Sequence, residues 1–145
     1  MKILYKSFEE LSSKQLEDLF RLRQQVFIIE QTCLYEDIDG YDGQANHLCF
    51  YDDELVAYLR LFPEGIKYEA FASLGRIVVA PDYRGSGIGP KLILKGIELC
   101  ESTSIKIEAQ AALEKYYTEL GFTTVSEVYV VDDIEHIEMT LEKKK

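Results

Sequence analysis

The chain has 145 residues, of which 47% are apolar and 29% charged, and its formal net charge is −10. Such a length and balance fit one soluble globular domain, residues 1–145, with its own hydrophobic core. The charge argues against nucleic acid as a partner, since a phosphate backbone would be repelled.

No apolar run nears the roughly 18–20 residues of a membrane span, so no membrane partner is expected. Met1–Lys6 is too short and too soon charged to read as a secretory leader, which points to the cytoplasm. Cys33, Cys49 and Cys100 are far apart and form no C-x-x-C pair. That pattern predicts neither a disulfide framework nor a zinc site, and no metal is expected.

In chain order, residues 2–6 alternate as a first strand. Ser12 with Gln15 three positions on fits a capping box. Leu16, Leu19, Phe20, Arg23, Val26 and Phe27 then recur at helical spacing, and the helix should end near Ile28 or Ile29. Arg23 lies on the apolar face of that helix, where a guanidinium needs a carboxylate, and Glu30 is the expected partner.

Residues 30–46 lose the periodicity and read as a long loop, a length that is often functional. Its Glu30, Glu36, Asp37, Asp39 and Asp42 read as a solvated loop or as a rim that recruits an amine. A calcium loop lacks the register and the terminal glutamate. Residues 47–51 and 55–62 form a hairpin by pattern, and 71–79 form the next strand.

Pro81 ends that strand. Arg84-Gly85-Ser86-Gly87-Ile88-Gly89 then runs into a helix with an apolar face at Leu92, Ile93, Gly96, Ile97 and Cys100. A strand, a glycine loop and a helix N-terminus in succession make a phosphate cradle: glycine lets the backbone approach, and the free amides and helix dipole favour an anion. Arg76, Arg84, Lys91, Lys95 and Lys106 concentrate positive charge around the segment. No Gly-Lys-Ser/Thr follows the glycines, which disfavours a P-loop nucleotide site.

Residues 105–110 alternate as a strand, Leu113–Leu120 form a short helix ended by Gly121, and 123–131 with 134–141 read as strands joined at Asp132-Asp133. Hairpins at both ends with a β-loop-α-β crossover between them predict an α+β sheet of about six or seven strands.

Arg84–Gly89 fits the Arg/Gln-x-x-Gly-x-Gly pattern of GNAT N-acetyltransferases, and Tyr117-Thr118-Glu119-Leu120-Gly121-Phe122 resembles that family's Tyr-x-x-x-Gly-Phe. A narrower resemblance is to ElaA-type members. It rests on Arg23–Cys33, Tyr35, Asp37–Gly40, Asp42 and His47-Leu48, then Glu127–Tyr129 and Asp132–Ile137. The sequence departs from that subgroup at Asp133-Ile134-Glu135-His136, where Gly-Ile-Pro-His is more usual, and at Pro90, which the first turn of a helix tolerates.

The resemblance implies a GNAT fold, a single mixed and mostly antiparallel sheet flanked by about four helices. It implies acetyl-coenzyme A as cosubstrate, with acetyl transfer directly to a primary amine on a small molecule or peptide. The acceptor stays open, as does the oligomeric state, a homodimer included. Backbone around Ile77, Val78 and Val79 would pair with the pantetheine arm, while Arg84, Gly85, Ser86, Gly87, Ile88 and Gly89 would cradle the pyrophosphate. Tyr117 would protonate the departing thiolate. An ammonium must lose a proton before it attacks, and Glu30, His47, Glu108 and His136 are the candidate bases or substrate contacts. The alternative is an idle acyl-coenzyme A sensor or interaction module, since fold and motif do not by themselves establish turnover.

Overall fold

A computed structural model describes residues 1–144 as eight strands and three α-helices. The order is β1 (Lys2–Ser7), α1 (Ser13–Arg23), β2 (Asn46–Asp52), β3 (Glu54–Phe62), β4 (Ser73–Val79), α2 (Ile88–Leu99), β5 (Ser104–Gln110), α3 (Glu114–Glu119), β6 (Thr123–Thr124), β7 (Tyr129–Val131) and β8 (Ile134–Glu142). The capping box starts α1: Gln15 N–H donates to Ser12 Oγ at 3.1 Å, and Ser12 N–H to Gln15 Oε1 at 2.9 Å. Beyond Arg23 the helix widens into a π-helix over Gln24–Glu30.

The α+β GNAT architecture expected from sequence is present, with its sheet divided in two. One half is β1-β2-β3-β4, all antiparallel; the other is β5-β8-β6, with β7 also on β8. A parallel bridge at Ala72 and Ile105 joins them. There Ala72 N–H donates to Ser104 O (3.0 Å) and Lys106 N–H to Ala72 O (2.9 Å). Past that bridge β4 and β5 diverge.

A bulge in β4 lies where the strands part. Register runs from Tyr58↔Val78 to Arg60↔Gly75, so β4 carries one extra residue, and Arg76 sits at φ 50°. Bulges bend the strand that carries them. The expected strand 123–131 is also interrupted, because Ser126 Oγ takes the Glu138 amide at 2.8 Å in place of a ladder carbonyl. The β7–β8 turn, Asp132-Asp133, has φ of 49° and 64°, as a type I′ hairpin requires.

Side-chain alternation on β2 and β3 feeds two cores. Leu48, Phe50, Val56 and Leu59 pack with Leu92 and Ile93 of α2, whereas Cys49, Leu55 and Tyr58 pack with Leu19 and Leu22 of α1. Strand β3 is therefore buried on both faces from Leu55 to Phe62. The first core continues through Ile105, Ile107, Ile137 and Met139, so α2 holds the two halves together behind the split.

Candidate active site

The split opens a cleft of about 250 Å³ between β4 and β5. Gly75, Arg76 and Ile77 line one wall and Ile107, Glu108 and Gln110 the other, with Tyr117 and His136 also facing it. Among the described residues, β4 has no strand partner on this side beyond the Ala72 bridge. Its free backbone edge can take an extended ligand as a further strand. Ile77 lines the cleft, while Val78 is buried in the core beside α1 and Val79 leads into the glycine loop.

The loop itself is an anion cradle made of backbone. Gly85 and Gly87 adopt φ of 78° and 85°, conformations that a Cβ would strain, and Gly87 caps α2. Among the described residues, the amides of Gly85, Ser86, Gly87, Ile88 and Gly89 donate to no backbone carbonyl. The Arg84 amide is engaged with Pro81 O at 3.3 Å, and Ser86 Oγ donates to Tyr83 O at 2.5 Å.

The local positive charge proves mostly committed elsewhere. Arg84 grips Glu30 through two bonds of 2.6 Å, Arg76 pairs with Asp37 and Asp39, and Lys95 with Glu98. Lys106 lies over the rings of Tyr68 and Phe71, at 5.0 and 4.6 Å. Lys91 alone of the five stands exposed without an ion pair among the described residues.

Tyr117 is fixed by the end of its own helix. Phe122 N–H donates to Tyr117 O (3.1 Å) and Gly121 N–H to Thr118 O (3.1 Å), with Gly121 at φ 107°. Those two bonds make a Schellman cap, whose usual apolar contact is here the Tyr117 ring against Phe122, 6.0 Å apart and edge-on. The Tyr-x-x-x-Gly-Phe pattern is thus a capping motif that pins a tyrosine. Tyr117 is 7% exposed, and burial pushes its phenol above tyrosine's usual value. Tyr116 packs over the cradle. A Cβ on Gly89 would lie 2.8 Å from its hydroxyl.

The four candidate bases separate. Glu108 and His136 line the cleft with Tyr117. Glu108 accepts from Tyr129 Oη at 2.7 Å. His136 Nδ1 lies 2.7 Å from Ile134 O, an acceptor only, so in the neutral ring Nδ1 carries the proton and Nε2 the lone pair. His47 and Glu30 are not among the residues lining the cleft. His47 is fully buried; its Nε2 donates to Asp42 O (2.9 Å), leaving Nδ1 to accept from Tyr58 Oη (2.6 Å). Burial holds its pKa below histidine's ordinary value. Glu30 is exposed and bound to Arg84, which keeps its carboxyl below the usual range.

The expected Arg23–Glu30 pair does not form. Arg23, fully buried, bonds Asp37 at 2.9 Å and Asp42 at 2.8 Å. Arg60 bonds Asp39 at 2.6 Å and Asp42 at 3.0 Å, and Arg76 is ion-paired with Asp37 at 2.7 Å and with Asp39 at 3.3 Å. Three arginines and three aspartates thus close a ring in which each touches two of the other kind. Of the five loop acids read as a solvated loop or an amine-attracting rim, Asp37, Asp39 and Asp42 are neutralised inside it and Glu30 pairs with Arg84. Nothing at Arg60 marked it in the sequence beyond its place in an otherwise apolar strand. Among the described residues no group of three or more His, Cys, Asp or Glu side chains is placed to hold a metal ion. Among the described residues no helix is long and apolar enough to cross a membrane.

A free strand edge running to an amide cradle suits a long thioester cosubstrate better than a compact nucleotide, and it sets the protein among the acyl-coenzyme A-dependent acyltransferases. Residues 9–143 match the family described as Acetyltransferase (GNAT) domain, and the chain belongs to that family. Protein ElaA of Escherichia coli K12 is 40% identical over 140 residues, covering 92% of this chain and 91% of its own. A UPF0039 protein of Schizosaccharomyces pombe is 36% identical over 149 residues, covering 98% and 97%. The crystal structure of E. coli ElaA superposes with a TM-score of 0.89, and that of an acyl-CoA N-acyltransferase from Pseudomonas aeruginosa with 0.87. Each is 36% identical and covers 97% of this chain and 99% of the solved one.

Proposed function

We propose that this protein is a cytoplasmic N-acetyltransferase that moves an acetyl group from acetyl-coenzyme A directly to a primary amine. The observation that carries the reading is Tyr117, capped and buried, on the same cleft as the bare edge of β4 and as His136. In this reading the amides of Gly85–Gly89 hold the pyrophosphate, and the β4 edge around Ile77 pairs with the pantetheine arm.

The amine nitrogen attacks the thioester carbonyl, forming a C–N bond as the C–S bond breaks. His136 Nε2 takes the ammonium proton before attack, because its Nδ1 is already committed to a carbonyl. Tyr117 gives its proton to the departing thiolate, and the second proton, shed by the acylated nitrogen, restores the phenol. The burial that raises the phenol also disfavours a free thiolate beside it, so both anions are discouraged together.

Replacing Tyr117 with Phe keeps the packing and removes the proton. Steady-state thiol release should then fall about 100-fold or more, with coenzyme A affinity by calorimetry unchanged. An unchanged turnover would remove Tyr117 from the chemistry.

A further inference from the structure

Charge in and around the cleft is distributed in a way that selects an acceptor. The six-membered arginine–aspartate ring cancels itself, three charges against three. Two charged side chains on the shared wall lie outside the ring, Lys67 and Glu108. Neither forms an ion pair among the described residues, and both line the cleft and an adjoining hollow of about 350 Å³. Asp132 also lines the cleft, at the tip of the β7–β8 turn; all three side chains are exposed, but Asp132 does not line the adjoining hollow.

Lys67 is an odd cation. Its ammonium lies 5.6 Å from the Tyr68 ring centroid, a weak contact, and near the guanidinium groups of Arg60 and Arg76. Lys67 is exposed, and no carboxylate lies within ion-pair distance of it among the described residues. Glu108 has one oxygen taken by Tyr129 and a second free to accept. The hollow beyond them has an apolar side formed by Tyr41, Phe62 and Ile66.

Resting on the acetyl-transfer reading, we infer that the acceptor is a zwitterion, an amino acid or close analogue, with its carboxylate on Lys67, its ammonium on Glu108 and an apolar side chain in the hollow. Lys67 and Glu108 are then specificity residues, and the ring is the rigid frame that holds their wall. A dication such as a polyamine would set its second ammonium against Lys67, where the zwitterion sets its carboxylate. This local arrangement opposes the molecule's overall charge of −10, which by itself would favour cationic acceptors.

Matched acceptors test the inference: leucine, leucinamide and isoamylamine, with spermidine as the dication. Each is titrated by calorimetry into the full chain saturated with coenzyme A, and each is assayed for thiol release from acetyl-coenzyme A. Leucine should bind about tenfold or more tightly than either neutral-tailed twin, a charge-assisted contact's worth. Lys67→Gln should bring that ratio near one while leaving isoamylamine binding unchanged. Glu108→Gln should weaken leucine and isoamylamine alike.

Equal binding of the twins, tighter binding of spermidine, or a ratio that survives Lys67→Gln would overturn the inference. Because binding is read apart from turnover, the two proposals fail separately. Lys67-dependent leucine binding without thiol release would support the site and remove the transferase reading. Thiol release with isoamylamine as effective as leucine would do the reverse.

Discussion

At the scale of single residues, the side chains that shape this molecule are buried ions that sequence reading only half detects. Arg23 is visible as a charge on an apolar helix face. Its partners, 14 and 19 positions later, are not, because helical spacing says nothing of a loop that folds back. Removing Arg23 leaves Asp37 and Asp42 each with one remaining arginine, so Arg23→Met should cost about 3 kcal/mol, the lower part of the range for a broken buried pair. Chemical denaturation measures it, and a loss below about 1 kcal/mol would mean that the ring holds little of the fold together.

His47 gives a pH dependence. Its folded pKa is lowered, so below about 6.5 the unfolded chain takes up a proton that the folded chain refuses. Stability from this group is complete above that pH and falls as pH drops. Thermal melts between pH 7.5 and 5.5 should show the decline, with a shallower slope in His47→Gln.

Among the elements, the glycine loop and α3 show how a motif encodes geometry. Two segments quoted from the sequence as a cradle and a tyrosine motif meet in space, with Tyr116 over Gly89. The cap on α3 was readable, since Gly121 after a short helical run signals a left-handed end. The contact was not, because it joins residues 27 apart across a β-strand. Gly89→Ala should lower stability by about 1–2 kcal/mol by pressing on the tyrosine hydroxyl. Adding Tyr116→Phe should restore at least half of that loss. Strictly additive melts would show that the two positions do not press on each other.

For the whole molecule, alternation and turn chemistry made the α+β class and most strands legible, and the family motifs made the GNAT fold so. The division of the sheet was not legible. It depends on a bulge at Arg76, held at positive φ beside Asp37 and Asp39, and no local pattern marks a β-strand residue for that conformation. The cleft that results joins the two halves of the sheet by one bridge, with α2 behind. A coenzyme lying along β4 would bind the folded state only. At about 100 times its dissociation constant it should stabilise by about 2.7 kcal/mol, raising the melting temperature by about 5–10 °C. No shift at saturation would mean that the cleft is not the coenzyme site.

Amine-dependent thiol release reads acetyl transfer itself. Acetyl-coenzyme A and the purified chain are incubated with and without the leucine and isoamylamine series, free thiol is followed, and the acetylated product is weighed by mass spectrometry. The account expects little release without amine, release that rises with amine concentration, and a product heavier by one acetyl group. Tight coenzyme binding with no amine-dependent release from any acceptor across a broad panel would contradict it and leave a sensor of acyl-coenzyme A in its place.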